Sequence, residues 1–90
     1  MKFEWDERKN LQNQKKHGLS FEFATLAFED EKRIILEDKR HSDDEARFYC
    51  VGKAEDHVIT VRFTYRNEIV RIYGAGVWRK TRRLYERKNT

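Results

Sequence analysis

The sequence has 90 residues, of which 40% are charged, 38% are hydrophobic and 13% are aromatic. This length supports one domain, over residues 1–90, and the aromatic side chains supply a core that a disordered tail would lack. No stretch approaches the ~18 apolar residues of a membrane-spanning helix, and the start, MKFEWDERKN, is unlike a secretory signal, so we expect a cytoplasmic protein.

The opening of the chain predicts a short strand and a polar helix. Lys2–Trp5 alternates in character as a strand does. Asp6 is a suitable N-cap for a helix over residues 6–16, in which Leu11 is the main apolar side chain. This helix must therefore lie across the surface, and His17-Gly18 ends it.

A second helix and four strands follow. Ser20 caps a helix over residues 21–29, whose apolar side chains recur at helical spacing. The pattern then changes to strands over residues 33–38, 47–51, 57–65 and 69–73. Their short connections predict an antiparallel sheet of about four to five strands.

The chain ends in a predicted basic helix. Gly74-Ala75-Gly76 is expected to break the last strand, and residues 78–88 then form the helix. Its apolar side, with Trp78 and Tyr85, docks on the sheet, while a row of cations faces outwards. The fold class is therefore α+β, with two N-terminal helices and this C-terminal one.

Charge is concentrated in the same segment. The net charge is +4, yet residues 69–90 alone contain seven basic residues and one acidic residue. A basic segment of this kind suits a polyanionic partner, most simply nucleic acid. The alternative is a solvated helix face that needs no partner.

The single cysteine and the histidines limit the metal chemistry that the chain offers. Cys50 cannot form an internal disulfide, and no Cys/His spacing matches a zinc site, so we expect no metal and no cofactor. Cys50 lies within a predicted strand, where it is expected to be buried and not to act as a nucleophile.

Three sequence blocks resemble the BrnT toxins of bacterial type II toxin–antitoxin modules. They are FEWDERKN with KKHGLSFEFA, then HSDDEARF, and then IVRIYGAG with WRKTRRLYER. The resemblance covers roughly residues 3–87. It implies a RelE-like fold and a metal-independent ribonuclease that inhibits translation. It also implies neutralisation by a BrnA-type antitoxin with a ribbon-helix-helix DNA-binding domain, and through that antitoxin an indirect contact with operator DNA.

The sequence departs from the BrnT pattern at one position. Typical members read close to ISAR where this chain has Tyr73-Gly74-Ala75-Gly76, so Gly76 stands in place of an arginine. Arg79, on the following helix, is the nearest residue in the sequence that can supply a guanidinium to the same region.

Metal-free RNA cleavage requires proton transfer and stabilisation of charge on the phosphate. Arg79 and Arg83 are the predicted catalytic arginines, because they lie four residues apart on one helix face and guanidinium binds phosphate with two hydrogen bonds. His17 is the predicted acid–base catalyst, since imidazole exchanges protons near neutrality. Its alternative role is structural, in the turn that ends the helix. The predicted RNA-binding residues are Lys15, Lys16, Lys80, Arg82 and Arg87.

Two other functions remain open at the level of sequence. One is a toxin-fold interaction module of weak or no activity, which regulates transcription together with its antitoxin. The other is a plain RNA-binding domain, in which exposed aromatic side chains matter more than His17. His41, Tyr85 and the acidic Asp43–Glu45 loop are assigned structural roles.

Overall fold

The helices and strands follow the predicted order along the chain. The computed structural model describes residues 1–90. The helices are α1 (Glu7–His17), α2 (Phe21–Ala24), which continues into a 3-10 segment (Thr25–Glu29), and α3 (Arg79–Lys88). The strands are β1 (Phe3–Glu4), β2 (Ile34–Glu37), β3 (Arg47–Ala54), β4 (His57–Arg66) and β5 (Ile69–Gly76), and a 3-10 turn (Lys39–His41) follows β2. None of the helices is long and apolar enough to cross a membrane.

The predicted caps of α1 and α2 are confirmed. The Asp6 carboxylate accepts a hydrogen bond from the α1 backbone at 2.8 Å, and the Ser20 hydroxyl accepts one from α2 at 3.0 Å. Gly18 closes α1 with φ 71°, a left-handed conformation that glycine adopts without a steric penalty. These caps fix the ends of α1 and therefore the position of His17.

The second helix is shorter than its apolar pattern predicts. The α-helical turns end at Ala24, and the chain tightens into the 3-10 segment. Thr25 Oγ1 donates to the carbonyl of Glu22 at 2.7 Å, a side-chain bond that competes with regular helix hydrogen bonding.

The sheet is mixed, so the prediction of an antiparallel sheet was wrong for one strand. Its order is β1-β5-β4-β3-β2, in which β2 to β5 run antiparallel and β1 pairs with β5 in parallel. The direction of β1 follows from α1, because the chain must leave β1 towards the end of β5 where Asn13 of α1 binds Ala75. A strand of two residues carries no sequence signal for its direction.

β5 continues through Gly74-Ala75-Gly76, where the sequence predicted a break. These residues pair with the middle of β4, beyond a bulge at Tyr73. Because glycine has no side chain and alanine has only a methyl group, two other residues can lie close to the strand here. Asn13 bonds to the backbone of Ala75, and the Trp78 indole lies over the last glycine.

The hydrophobic core lies between one face of the sheet and the segment formed by α2 and its 3-10 continuation. Phe28 packs edge to face against Phe63 and Phe3, with ring centroids 5.1 Å and 5.2 Å apart. Burial raises the pKa of the Cys50 thiol to about 12, so this cysteine is an inert core residue, as predicted. The core comprises Phe21, Ala24, Ala27, Phe28, Cys50, Ala54, Ile59, Val61, Phe63, Val70, Ile72 and Ala75.

α3 packs on the opposite face of the sheet, against β3 and β4. The Thr81 and Thr60 hydroxyls are hydrogen-bonded at 2.6 Å, and Tyr85 is buried and donates to the Asp30 carboxylate. The predicted inward side of the helix is confirmed. Arg79 and Arg83 are exposed on its outward side.

Candidate functional site

An open cleft lies between α1 and the end of β5, and we refer to it as the α1–β5 cleft. Its charged side chains are all cationic, and its lining contains no carboxylate. It is therefore suited to an anion. The lining residues are Lys9, Gln12, Asn13, Lys16, His17, Arg62, Tyr73, Gly74, Ala75 and Trp78.

Two buried asparagines on one face of α1 position the rim of this cleft. Asn13 Nδ2 donates to the carbonyls of Leu19 and Ala75 at 2.8 Å and 2.9 Å, and its Oδ1 accepts from Ala75 N at 3.1 Å. Asn10 Oδ1 accepts from Phe21 N at 2.8 Å. The helix is thus attached through amides, and Leu11, its predicted apolar member, is 55% exposed.

Arg62, from the middle of β4, is one of the residues that line the cleft. Its guanidinium carbon is 4.9 Å from the centroid of the Trp78 ring, a cation–π contact. Its Nε is buried and has no hydrogen-bond partner. Buried guanidinium donors are normally satisfied, so this atom is an unmet hydrogen-bond donor in a residue that lines the cleft.

Tyr73, at the bulge of β5, carries the second unpartnered polar atom. Its Oη is buried without a hydrogen-bond partner, and the guanidinium of Arg47 lies 4.8 Å from its ring centroid. Burial raises the pKa of the Tyr73 hydroxyl, although nearby arginines act in the opposite direction. This hydroxyl is consequently protonated at neutral pH and can donate a hydrogen bond.

His17 and Lys16 are the sequence-predicted residues that line this cleft. His17 is exposed at the end of α1, and its ring meets Trp78 edge to face, with centroids 5.8 Å apart. Lys15 is also exposed at this end of α1 but is not part of the lining. The KKHG turn therefore brings an imidazole and an ammonium group to the same rim as Arg62.

The predicted cations of α3 lie outside the cleft. Lys80 and Arg87 line a separate groove between α3 and strands β2 to β4, which we refer to as the α3 groove. Arg79 and Arg83 are exposed and line neither cavity, while Arg82 Nε lies 3.8 Å from the Glu86 carboxylate. Arg62 and Trp78 border both cavities. The catalytic and RNA-binding roles of the α3 residues stay predictions.

Gly76 is explained by the position of Trp78. A Cβ atom at residue 76 would lie 2.9 Å from the indole, a distance that requires the ring to move. An arginine at this position and the observed indole are therefore incompatible. Arg62, on the neighbouring strand, places a guanidinium against the same ring.

The other polar residues discussed above form structural contacts. His41 Nδ1 lies 2.9 Å from the buried Asp38 carboxylate. Burial raises the pKa of Asp38, but its hydrogen bond with His41 contributes to a net lowering. Glu45 pairs with Arg66 at 3.6 Å. No group of three or more His, Cys, Asp or Glu side chains is placed to hold a metal ion.

Arg62 and Tyr73 were absent from the sequence-based set of candidates. Arg62 had one usable signal, because a charge in the middle of the alternating strand Ile59–Phe63 indicates a face that the core does not cover. Tyr73 had none, since its orientation depends on a bulge that no local pattern indicates.

The comparisons with known proteins identify the family. No curated protein matches this sequence. Residues 5–81 match the family described as ribonuclease toxin, BrnT, of type II toxin-antitoxin system. This range contains all of α1, the strands of the sheet from β2 to β5, and every residue that lines the α1–β5 cleft. The chain therefore belongs to the BrnT family of ribonuclease toxins, as its sequence blocks indicated.

Proposed function

We propose that this toxin is an endoribonuclease that cleaves RNA in the α1–β5 cleft without a metal ion and thereby inhibits translation in the cytoplasm. The observation that carries the proposal is that Arg62 and Tyr73 both line one cationic cleft and that each has a buried polar atom, Nε and Oη, without a hydrogen-bond partner. Buried polar groups of this kind call for a ligand, and both atoms are hydrogen-bond donors. A phosphodiester supplies the matching acceptor oxygens.

Charge stabilisation in the cleft comes from side chains. Arg62 is the group assigned to the scissile phosphate, because a guanidinium stays protonated and donates to phosphate oxygens in a fixed geometry. Lys9 and Lys16 add positive charge at the rim. Cationic side chains placed where negative charge develops perform the electrostatic task that a metal ion performs in other nucleases.

His17 is assigned to the proton transfers. Its imidazole accepts the proton of the 2′-hydroxyl as the 2′-oxygen attacks phosphorus, and the imidazolium returns that proton to the 5′-oxygen as the P–O5′ bond breaks. The products are a 2′,3′-cyclic phosphate and a 5′-hydroxyl, with no net uptake of protons. Tyr73, protonated at neutral pH, donates a hydrogen bond to a non-bridging oxygen.

The remaining cations are assigned to RNA outside the scissile position. Arg79 and Arg83, which the sequence nominated as catalytic, are proposed to hold the flanking backbone, since they are exposed and lie outside the cleft lining. Contacts of this kind add affinity and do not select a sequence. The same role is proposed for Lys15, Lys80, Arg82 and Arg87.

Cleavage of RNA in excess EDTA tests this proposal. We expect the purified toxin to remain active in EDTA, and the His17→Ala variant to be slower by about 10²–10⁴-fold, the usual contribution of a general acid–base. His57→Ala, which changes an exposed histidine outside the cleft lining, is the matched control and should retain full activity. Activity that is lost in EDTA and restored by Mg²⁺ would contradict a metal-independent mechanism.

The proposal includes the partner and the fold that the BrnT resemblance implies. A type II toxin implies an antitoxin; we propose that it is of the BrnA type, with a ribbon-helix-helix domain that binds operator DNA. The RelE-like assignment of the fold is supported by family membership. Co-expression of the antitoxin should relieve growth arrest, and the complex, but not the toxin alone, should retard operator DNA in a gel. Retardation by the toxin alone would contradict the indirect contact.

A further inference from the structure

The α3 groove has an apolar floor. Leu36 of β2, Tyr49 of β3 and Leu84 of α3 line it together with Trp78. The Thr60 and Thr81 hydroxyls are hydrogen-bonded to each other at 2.6 Å, and the Tyr49 hydroxyl is hydrogen-bonded to Asp38. The floor therefore offers mainly hydrocarbon surface and few free groups that could recognise the polar edge of a base.

The rim of the groove is cationic. Lys80 and Arg87 are exposed, and neither forms an ion pair. The lining contains no carboxylate. The groove ends at β2, which is the outer strand of the sheet and has no neighbour on its far side. The edge strand therefore leaves this end of the groove free of strand pairing, so an extended or helical segment can approach along it.

We propose that the α3 groove binds an acidic, amphipathic segment of the antitoxin, with aliphatic side chains on the floor and Asp or Glu side chains against Lys80 and Arg87. An apolar centre with a charged rim is the usual anatomy of a protein–protein interface. The opposite charges on the two partners favour association with the correct one. This inference rests on the proposed function for the existence of a neutralising partner.

Neutralisation follows from the two residues that the cavities share. Arg62 and Trp78 border both the α3 groove and the α1–β5 cleft. A segment in the groove contacts this stacked pair from one side, and an antitoxin carboxylate there competes with phosphate for the Arg62 guanidinium. The antitoxin thus excludes RNA by occupying a neighbouring groove and need not enter the cleft.

The test measures two affinities with variants of one leucine. The probe is the purified product of the gene adjacent to the toxin gene, titrated against wild type, Leu84→Glu and Leu84→Ala. We expect Leu84→Glu to weaken its binding by more than about tenfold and Leu84→Ala by less, because a carboxylate in the groove is both desolvated and repelled by an acidic segment. Without the antitoxin, Leu84→Ala should bind and cleave RNA within about twofold of wild type.

Leu11→Glu is the matched control, since Leu11 is 55% exposed on α1 and lies outside both linings. Its affinity for the antitoxin should be unchanged. If Leu84→Glu does not fold by circular dichroism, Leu84→Ala decides the test, and an unchanged antitoxin affinity then overturns the inference.

The outcomes separate this inference from the function on which it rests. Failure of the wild-type chain to bind the antitoxin would contradict the proposed function. Tight binding that is equal for wild type and the folded Leu84 variants would overturn only the assignment of the α3 groove to the antitoxin. A loss of RNA affinity with antitoxin affinity unchanged would assign the groove to RNA and also overturn it.

Discussion

At the scale of single residues, two asparagines attach α1 to the rest of the fold, a role that hydrophobic side chains usually have. Asn10 is fully buried and Asn13 is 8% exposed, and both are hydrogen-bonded to backbone groups of other segments. A strongly polar helix can thus be fixed against a sheet without an apolar stripe. The rim residues Lys16 and His17 owe their position to these amides.

Replacing Asn13 by alanine should therefore be costly. The change leaves the carbonyls of Leu19 and Ala75 and the Ala75 N–H without their partner, and we expect the free energy of unfolding to fall by about 2–4 kcal/mol. Urea denaturation measures it. Leu11→Ala, at an exposed position on the same helix, should change stability by less than about 0.5 kcal/mol. Equal effects of the two substitutions would contradict the account of α1.

Residue-level prediction from the sequence succeeded where the interaction is local. Asp6 and Ser20 cap the helices that follow them, because an N-cap bond joins residues two or three apart. Asn13 could not be identified in this way. Its partner Ala75 is 62 residues away, so only the folded chain brings the two together.

At the scale of elements, the attachment of α3 depends on a polar contact as well as on packing. Tyr85 donates to the Asp30 carboxylate, which also accepts hydrogen bonds from the backbone N–H groups of Lys32 and Lys53. Burial and the hydrogen bond to Asp30 raise the pKa of Tyr85 from 10.0 to about 12. Burial of Asp30 raises its pKa, but these hydrogen bonds outweigh that effect and lower it below 3.8.

These shifts predict a stability that declines at both extremes of pH. Above pH 10 the unfolded chain releases its tyrosine protons while folded Tyr85 retains its proton, so the free energy of unfolding falls between about pH 10 and pH 12. Below about pH 4 the unfolded chain binds a proton that folded Asp30 resists, and stability falls again.

Tyr85→Phe should reduce both effects and lower stability at pH 7 by about 1–2 kcal/mol, because Asp30 loses a hydrogen bond. Urea titrations at acidic, neutral and alkaline pH measure this. Part of the alkaline decline should persist, since burial also raises the pKa values of Tyr49 and Tyr73. Tyr65→Phe, at a residue that is 52% exposed, is the control and should leave the profile unchanged. A Tyr85→Phe profile identical to wild type would contradict the link between α3 and Asp30.

Element boundaries were predictable where hydrophobic periodicity was strong. The alternation in residues 57–65 placed β4 within one residue of its observed end. The strand β1 was predicted, but its direction and the end of β5 were not predictable, because the pairing there is decided by contacts with α1 and Trp78. Glycine in a strand favours a break locally, but here it permits a close approach.

At the scale of the whole molecule, the cations of α3 and those of the α1–β5 cleft have different surroundings. Arg79 and Arg83 are exposed on the outward side of α3, whereas Arg62 is partly buried against Trp78. Exposed cations bind phosphate by displacing counterions, and a buried guanidinium acts at a defined position. Affinity and catalysis should therefore respond to different arginines.

The salt dependence of RNA binding tests the outer contacts. Arg83→Ala should weaken binding of single-stranded RNA and reduce the slope of log K against log salt concentration by about 0.7, the value for one phosphate contact. Fluorescence anisotropy over a range of KCl concentrations gives the slope. Arg66→Ala is the control, because Arg66 already pairs with Glu45. An unchanged slope for Arg83→Ala would remove α3 from the RNA interface.

The candidate site was predictable only in part, because some of its features are local in the sequence and others depend on the assembled sheet. Composition and spacing indicated His17, Lys16 and a basic helix, since each is a local feature of the sequence. The bulge at Tyr73 and the stack of Arg62 on Trp78 involve β4, β5 and the segment before α3. These residues come together only in the assembled sheet.

The single-turnover rate of RNA cleavage at saturating protein, in EDTA, tests most directly whether the active site is the α1–β5 cleft. Arg62→Ala should lower this rate by about 10²–10³-fold, as expected when a group that stabilises the transition state is removed. Arg83→Ala should leave the rate within about threefold of wild type once its weaker binding is saturated. The opposite result, with a folded Arg62→Ala that cleaves normally and an Arg83→Ala that does not, would place the chemistry on α3 and contradict this account.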